Sequence, residues 1–341
     1  MRPEDTEREM EKERYGRMSR PKNISGHKML AHIDRILNDH RPITADVFIT
    51  NYCNNNCPYC TYHRWELEPG SRYMKYEDFV QYGTRLIELG VQGIILTGGG
   101  EPTINPDFDK IAEWLSNRNI SWGMNSNFNQ MKYCKPSYLK VSLDGYDEDS
   151  YERCRGVRKY HEARKNVIEY GVWKKENSPD TSLGIQMVAQ DVESVYKFYE
   201  ANRVLPVDYI VFRPVESTGG KYYRQGVTFS PFRTDEIRNA IVDLATDDER
   251  VTLNFKWDLL EERQESCTAQ WAQIAVNEQG QVMYCCHKPY EIVGDLMDPD
   301  ILKKKDKYFT NMSLCDVPCR MTAPNLFVSQ VLEKRKDGCF I

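Results

Sequence analysis

An alternation of apolar strands with helices of roughly 10–15 residues constrains this chain more than any other feature of its sequence. ITADVFIT (43–50), VQGIILT (91–97), a short segment at 121–125, YLKVSLDG (138–145), SLGIQMV (182–188) and VDYIVFRPV (207–215) read as strands. Phe79, Leu86, Ile87 and Leu89 mark a helix closed by Gly90. Asp107 stands where it caps a helix carrying Phe108, Ile111, Trp114 and Leu115, and further helices follow at 160–176 and 191–202. Six such units predict an α/β fold with a parallel sheet curled into a partial (β/α)6 barrel, rather than the closed eight-stranded form. Folds of this kind bind ligands at the carboxyl ends of their strands. Polar and glycine-rich residues gather there in this chain.

The beat stops near residue 216. Residues 1–42 read as an N-terminal arm and helix, and 43–220 as the partial barrel. A linking helix (233–246) and strand (251–256) fall within 221–254. Residues 255–341 read as a small α+β domain of short strands and turns, with a hairpin pivoting at 278–280. No run of 18 or more apolar residues is present, so no membrane partner is expected. The charged N-terminus lacks the apolar stretch of a secretory signal, so the expected location is the cytoplasm. A formal net charge of -5 argues against bulk nucleic-acid binding. In a reducing compartment, eleven cysteines are better explained by metal ligation than by disulfides.

NYCNNNCPYC follows the first strand and puts Cys53, Cys57 and Cys60 in C-x3-C-x2-C spacing. Three thiolates in one loop can hold three irons of a 4Fe-4S cube and leave the fourth open to an exogenous ligand. A zinc site, which ordinarily presents paired C-x2-C knuckles, is the alternative. The run LTGGGEP after the second strand brings backbone close to a ligand, and Glu101 adds a carboxylate suited to an ammonium group. Asn125, Ser126 and Asn127 end the third strand. Lys140, Ser142 and Asp144 share one face of the fourth at period two, as polar groups that demand partners.

On these motifs the sequence resembles the radical S-adenosylmethionine (SAM) superfamily over about residues 45–215. The resemblance implies that SAM binds the open iron through its amino and carboxylate groups. Reductive cleavage then gives methionine and a 5'-deoxyadenosyl radical, which removes a hydrogen atom from the substrate. It implies catalytic, iron-binding roles for Cys53, Cys57 and Cys60, and Tyr59 matches the family's aromatic residue before the last cysteine. It assigns the methionyl amino group to Gly99, Gly100 and Glu101, and places Asn125, Ser142, Asp144 and Arg155 among the SAM-binding residues, with Arg155 toward the carboxylate. Gln186 and Arg213 are further candidates for contacting SAM or substrate.

Cys267, Gly280 and Cys285 fit C-x12-G-x4-C, and Cys315 and Cys319 add C-x3-C. This series resembles the auxiliary-cluster extension of the SPASM and twitch subfamilies. It implies a second 4Fe-4S cluster on Cys267, Cys285, Cys315 and Cys319, with a zinc staple on the same thiolates as the alternative. Cys286 and Cys339 are surplus to that set. Cys134 and Cys154 read as buried free thiols, Cys154 also as a candidate hydrogen donor. His63 is a candidate for contacting substrate or the cluster edge, His287 for a supporting role behind Cys285 and Cys286, and the Tyr222–Tyr223 pair for an aromatic wall over a small polar ligand.

An auxiliary cluster can accept the electron that a ketyl radical loses in becoming a carbonyl. The favoured expectation is therefore oxidation of a small-molecule substrate, an aminocyclitol or sugar-like metabolite, with a reducing partner such as flavodoxin or ferredoxin. The alternatives are a redox-neutral isomerase or epimerase on a sugar, amino-acid or nucleotide derivative, a maturase acting on a peptide substrate, and a non-catalytic iron-sulfur electron-transfer protein.

Overall fold

The computed structural model describes residues 29–60, 62, 72–214, 235–258, 265–312, 315 and 319–332. Seven strands pair in parallel, each beside its predecessor: β1 Thr44–Val47, β2 Gly93–Leu96, β3 Ser121–Ser126, β4 Tyr138–Ser142, β5 Ser182–Val188, β6 Tyr209–Arg213 and β7 Val251–Leu253. The short helix α1 (Ile33–Leu37) precedes them. Helices α2 (Tyr76–Glu88) and α3 (Phe108–Ser116) link the first three strands. Two helices, α4 (Glu148–Arg155) and α5 (Tyr160–Asn177), connect β4 to β5, followed by α6 (Val192–Asn202) and α7 (Asp235–Asp247). The expected partial barrel is thus present, but one of its six units has no helix. β3 and β4 are joined by residues 127–137, which bury Phe128 and Cys134 in the core instead.

The C-terminal segment extends the same sheet from its other edge. β8 (Gln273–Val276) runs parallel to β1, and β9 (Gln281–Met283) and β10 (Ile292–Asp295) follow antiparallel. Among the described residues the strand order is β10-β9-β8-β1-β2-β3-β4-β5-β6-β7. The hairpin turns at Gly280, whose φ of 77° is left-handed. Helices α8 (Ile301–Lys307) and α9 (Thr322–Leu332) complete a segment expected to be α+β, although the sequence reading placed no individual helix in it. ILKKKDK offers too few apolar residues to reveal a helical period.

Gly90, with φ 98°, closes α2 as expected, its amide donating to the Ile87 carbonyl at 2.9 Å. Asp107 does not cap its own helix. It occupies the N-cap position of α3, but its carboxylate accepts the Tyr76 amide at the start of α2 (3.1 Å), so it serves the neighbouring helix. Lys110, hydrogen-bonded to the same carboxylate, and this amide hold Asp107 below its ordinary range.

Strand period two sorts the two faces of the sheet. Val47, Leu96, Leu139, Val141, Ile185, Ile210 and Phe212 lie in the main apolar core. Lys140, Ser142, Gln186 and Arg213 take the alternate positions and line a cavity. On that second face the rings of Tyr138 and Tyr209 lie across Gly123 and Gly184, where an added Cβ would stand 2.1 Å from either ring. Gly184→Ala is therefore expected to push Tyr209 off its rotamer and cost about 1–3 kcal/mol. Urea unfolding should show Tyr209→Ala recovering part of that loss in the double variant. Strictly additive losses would mean that the ring and the glycine do not interact.

Candidate functional site

The cysteine loop leaves β1 beside the glycine run that leaves β2, because Val47 and Leu96 are paired in register. The loop is anchored at both ends. Thr50 Oγ1 donates to the Arg72 carbonyl (2.8 Å) and accepts the Tyr52 amide (3.0 Å), while the Asn56 amide donates to the Arg155 carbonyl (2.9 Å). The asparagines between the cysteines tie the loop to the segment after β3. Asn127 Nδ2 donates to Asn54 Oδ1, and Asn129 Nδ2 to Asn55 Oδ1, each at 2.6 Å. Tyr151 of α4 donates in turn to Asn129 (2.8 Å). The sulfurs also accept polar hydrogens: Asn55 N (3.4 Å) and Asn127 Nδ2 (3.6 Å) reach Cys53, and Arg155 Nη1 (3.4 Å) reaches Cys57. Donors of this kind stabilise thiolate ligands and tune a cluster held by them.

The glycine run is dictated by this close approach. Gly98 and Gly99 adopt left-handed backbone, with φ of 49° and 64°. A Cβ at Gly100 would fall 1.7 Å from the Tyr52 carbonyl oxygen, and one at Gly156 2.2 Å from that of Asn56. The loop therefore rests on backbone that carries no side chain. Glu101 follows, its amide donating to the Tyr52 carbonyl (2.8 Å). Its buried carboxylate accepts Ser126 Oγ (2.6 Å), the Asn127 amide (2.7 Å) and Thr103 Oγ1 (2.8 Å). Burial raises its pKa above the usual carboxylate range, and the bonds from Ser126, Asn127 and Thr103 offset part of that rise.

Cys53, Cys57, Tyr59, Cys60, Gly99, Gly100, Glu101, Asn125, Ser142 and Arg155 all line one cavity of about 340 Å³. Asn125 is held by its Nδ2 donating to Thr97 Oγ1 (3.0 Å). Arg155 donates to the Ser142 carbonyl (2.8 Å) and forms an ion pair with Asp144. Burial alone would lower the Arg155 pKa, but Asp144, Tyr59 and Cys57 outweigh it and hold the guanidinium above its ordinary range. Asp144 is not among the lining residues. It lies buried behind Arg155 in a left-handed conformation (φ 48°), with Oδ1 accepting the Val188 amide at 2.5 Å. Gln186 and Arg213 also line the cavity. Cys134 and Cys154 do not; burial pushes both thiols up to about 12.

Cys267, Cys285, Cys315 and Cys319 line a second, enclosed cavity of about 30 Å³, together with Gln270, Tyr284, Met312 and Asn325. Asn325 Nδ2 donates to Cys267 (3.5 Å), and the Met321 amide to Cys319 (3.3 Å). Among the described residues no three His, Cys, Asp or Glu side chains meet closely enough for a single metal ion. Four thiols around one largely apolar space are a donor set that fits either a 4Fe-4S cube or a zinc ion. Cys286 turns the other way. It lines the first cavity and packs with Phe48, Ala275 and Met283, while His287 borders both spaces. Arg320, next to Cys319, ion-pairs with Asp46 of β1, which also receives a hydrogen bond from Gln273.

Lys256, Arg320 and Cys286 join the cavity without having been assigned to it from sequence. Adjacency to a cysteine was the available signal for the last two, and Lys256 gave none beyond a lone charge in a strand-like segment. His63, Tyr222, Tyr223 and Cys339 lie outside the described residues.

Ser126→Ala removes a donor to Glu101 and is expected to cost about 1.5–3 kcal/mol. The hydroxyl stabilises the ionised carboxylate, so the loss should be larger above the raised Glu101 pKa than below it. Chemical denaturation at mildly acidic and mildly alkaline pH measures this, and equal losses would show that no charge is being stabilised.

Residues 47–185 match the family model described as the radical SAM superfamily. A GTP 3',8-cyclase of Haemophilus influenzae is 26% identical over 129 residues, which is 35% of this chain and 38% of that protein. The matched segment thus spans well under half of that relative. Among solved structures, Streptococcus suis SuiB bound to its precursor peptide SuiA aligns over 90% of this chain and 77% of that one, with 15% identity and a TM-score of 0.58. Native anSMEcpe with bound AdoMet aligns over 80% and 83%, with 17% identity and a TM-score of 0.59. At these identities the likeness is one of fold. The likeness to the radical SAM superfamily is thus carried by residues 47–185, and the shared fold extends beyond them.

Proposed function

We propose that the chain is a radical SAM oxidoreductase acting on a small, polar, sugar-like substrate. In this reading Cys53, Cys57 and Cys60 hold a 4Fe-4S cluster with SAM on its open iron, and Cys267, Cys285, Cys315 and Cys319 hold an auxiliary 4Fe-4S cluster. One observation carries it. The cavity lined by the three loop thiols and Glu101 is also lined by Cys286, the immediate neighbour of Cys285 in the second thiol set.

When bound, the first cluster and SAM supply a 5'-deoxyadenosyl radical that takes a hydrogen atom from the substrate. The protein binds and orients. Glu101, fixed by Ser126, Thr103 and Asn127, receives the methionyl ammonium beside the backbone of Gly99 and Gly100. Arg155 and Ser142 face the carboxylate, and Tyr59 and Asn125 border the same space. Asp144 acts through Arg155, orienting the guanidinium. Oxidation of an alcohol carbon would balance as one hydrogen atom removed, one hydroxyl proton lost to solvent and one electron taken up, the last being the chemistry that a cluster held by Cys267, Cys285, Cys315 and Cys319 would supply. A flavodoxin- or ferredoxin-type partner supplies the electron that cleaves SAM, and one SAM is consumed per product.

Cys57→Ala is expected to reduce 5'-deoxyadenosine release under strong reduction to background. Anaerobic wild-type protein should hold about eight irons per chain, falling to about four when Cys285 and Cys319 are both changed to Ala. Release at the wild-type rate from Cys57→Ala would end the catalytic reading.

A second reading, redox-neutral epimerisation, is favoured by Cys286. Its thiol is buried, burial raises its pKa well above the ordinary range, and it lines the cavity. There the thiol returns a hydrogen atom to the substrate radical, and the sulfur radical left behind takes one electron and one proton from the reductant and solvent. Turnover in D2O separates the two readings. Oxidation leaves the product carbon without deuterium, whereas thiol return places one non-exchanging deuterium on it, and Cys286→Ala then blocks product while SAM cleavage continues.

A further inference from the structure

Asn127 bonds to both halves of the first site. Its main-chain amide donates to Glu101 Oε2 (2.7 Å), while its side-chain Nδ2 donates to Asn54 Oδ1 (2.6 Å) and to Cys53 Sγ (3.6 Å). Its Oδ1 accepts the Asn129 amide (3.0 Å), which closes an Asx turn. The residue is only 5% exposed, and it borders the cavity. An Asx turn needs an acceptor alone, and Asp supplies one equally well. Asn adds two amide hydrogens, and here both have acceptors in the cysteine loop, one an amide oxygen and the other a sulfur. This placement is held against strain. Phe128, the next residue, adopts left-handed backbone (φ 59°), and its carbonyl is fixed by Asn166 Nδ2 (2.8 Å). Bulky side chains rarely take that conformation, and such strain collects where surrounding structure imposes a working geometry.

Other donors also reach the loop sulfurs. The Asn55 group that meets Cys53 (3.4 Å) is main chain, so no substitution removes it. Arg155, 3.4 Å from Cys57, is a cation engaged with Asp144 and the Ser142 carbonyl. Asn127 is thus a neutral side chain whose donation to a sulfur can be removed without changing charge. A hydrogen bond to a ligating sulfur stabilises the electron-rich, reduced form of an iron-sulfur cluster and raises its potential. We infer that Asn127 is a positioning residue that makes the cluster of the cysteine loop easier to reduce, by directing one amide hydrogen at Cys53 while the other ties down Asn54. Through its main-chain bond to Glu101, the same residue links that sulfur to the carboxylate assigned to SAM's ammonium. The inference rests on the reading of Cys53, Cys57 and Cys60 as ligands of a 4Fe-4S cluster that binds SAM.

The test is a redox titration of anaerobically reconstituted holoenzyme, followed by electron paramagnetic resonance on the signal that SAM alters. Iron counts establish that each variant holds its clusters. At the wild-type midpoint, Asn127→Ala should lower the ratio of reduced to oxidised cluster about threefold or more, about 28 mV for one electron. Asn127→Leu fills the space and keeps water from donating in the amide's place, so its fall should be at least as large. Asn54→Ala removes the tie to the loop but leaves the donor, which the bonds to Glu101 and Asn129 still hold, and should keep the ratio within about 1.5-fold. SAM affinity should stay within about threefold in the Asn127 variants, because the main-chain amide still serves Glu101. Unchanged ratios in both Asn127 variants overturn the inference. An equal fall in Asn54→Ala also overturns it, since Asn127 then acts only by anchoring the loop. A wild type in which no signal answers to SAM overturns the reading of the cysteine loop itself, and is told apart from the other failures because it needs no substitution.

Discussion

The contact between the cysteine loop and the glycine run after β2 is the constraint on which the site depends. Tyr52 offers its carbonyl to the Glu101 amide at 2.8 Å, across the space where a side chain at position 100 would lie. Both segments spring from strands paired in register, so they begin side by side and need only be allowed to touch. The absence of a Cβ allows it. A one-residue register within the sheet is thereby converted into a fixed relation between three thiols and one buried carboxylate, which is how folds of this class bring unlike groups together at the carboxyl ends of their strands.

Asp144 and Asp46, both buried, are each answered by an arginine. Asp144 binds Arg155 and the Val188 amide, linking β4, α4 and β5, and Asp46 binds Arg320, linking β1 to the segment after Cys319. Buried pairs of this kind contribute little net stability, because desolvation consumes most of their attraction. Their effect is to fix which elements lie together around the cavity.

Much of this was legible in the sequence because it rests on local pattern. Strand β5 and helix α6 follow directly from their apolar periods, and the cysteine spacing and glycine run announce their chemistry through residue type alone. What was hidden depended on tertiary partners. Asp107 looks like the cap of its own helix and serves the next one, because its carboxylate finds the Tyr76 amide across a gap of 31 residues. Asp144 belongs to the motif, yet stands behind the guanidinium rather than in the cavity. The three consecutive asparagines of the loop read as generic polar filler until Asn127 and Asn129 are seen opposite two of them. Helix α8 has so little apolar period that only its packing against β10 and the contact of Lys305 with the Gln270 carbonyl (2.5 Å) explain it.

The parallel pairing of β8 with β1 has a mechanical consequence. Four successive residue pairs join these strands, from Thr44 with Gln273 to Val47 with Val276, so the C-terminal strands are welded to the barrel rather than hung from it. Swinging one part against the other would mean tearing a main-chain ladder. Motion within this sheet is then left to side chains and loops, and the separation of the two thiol sets is settled at folding.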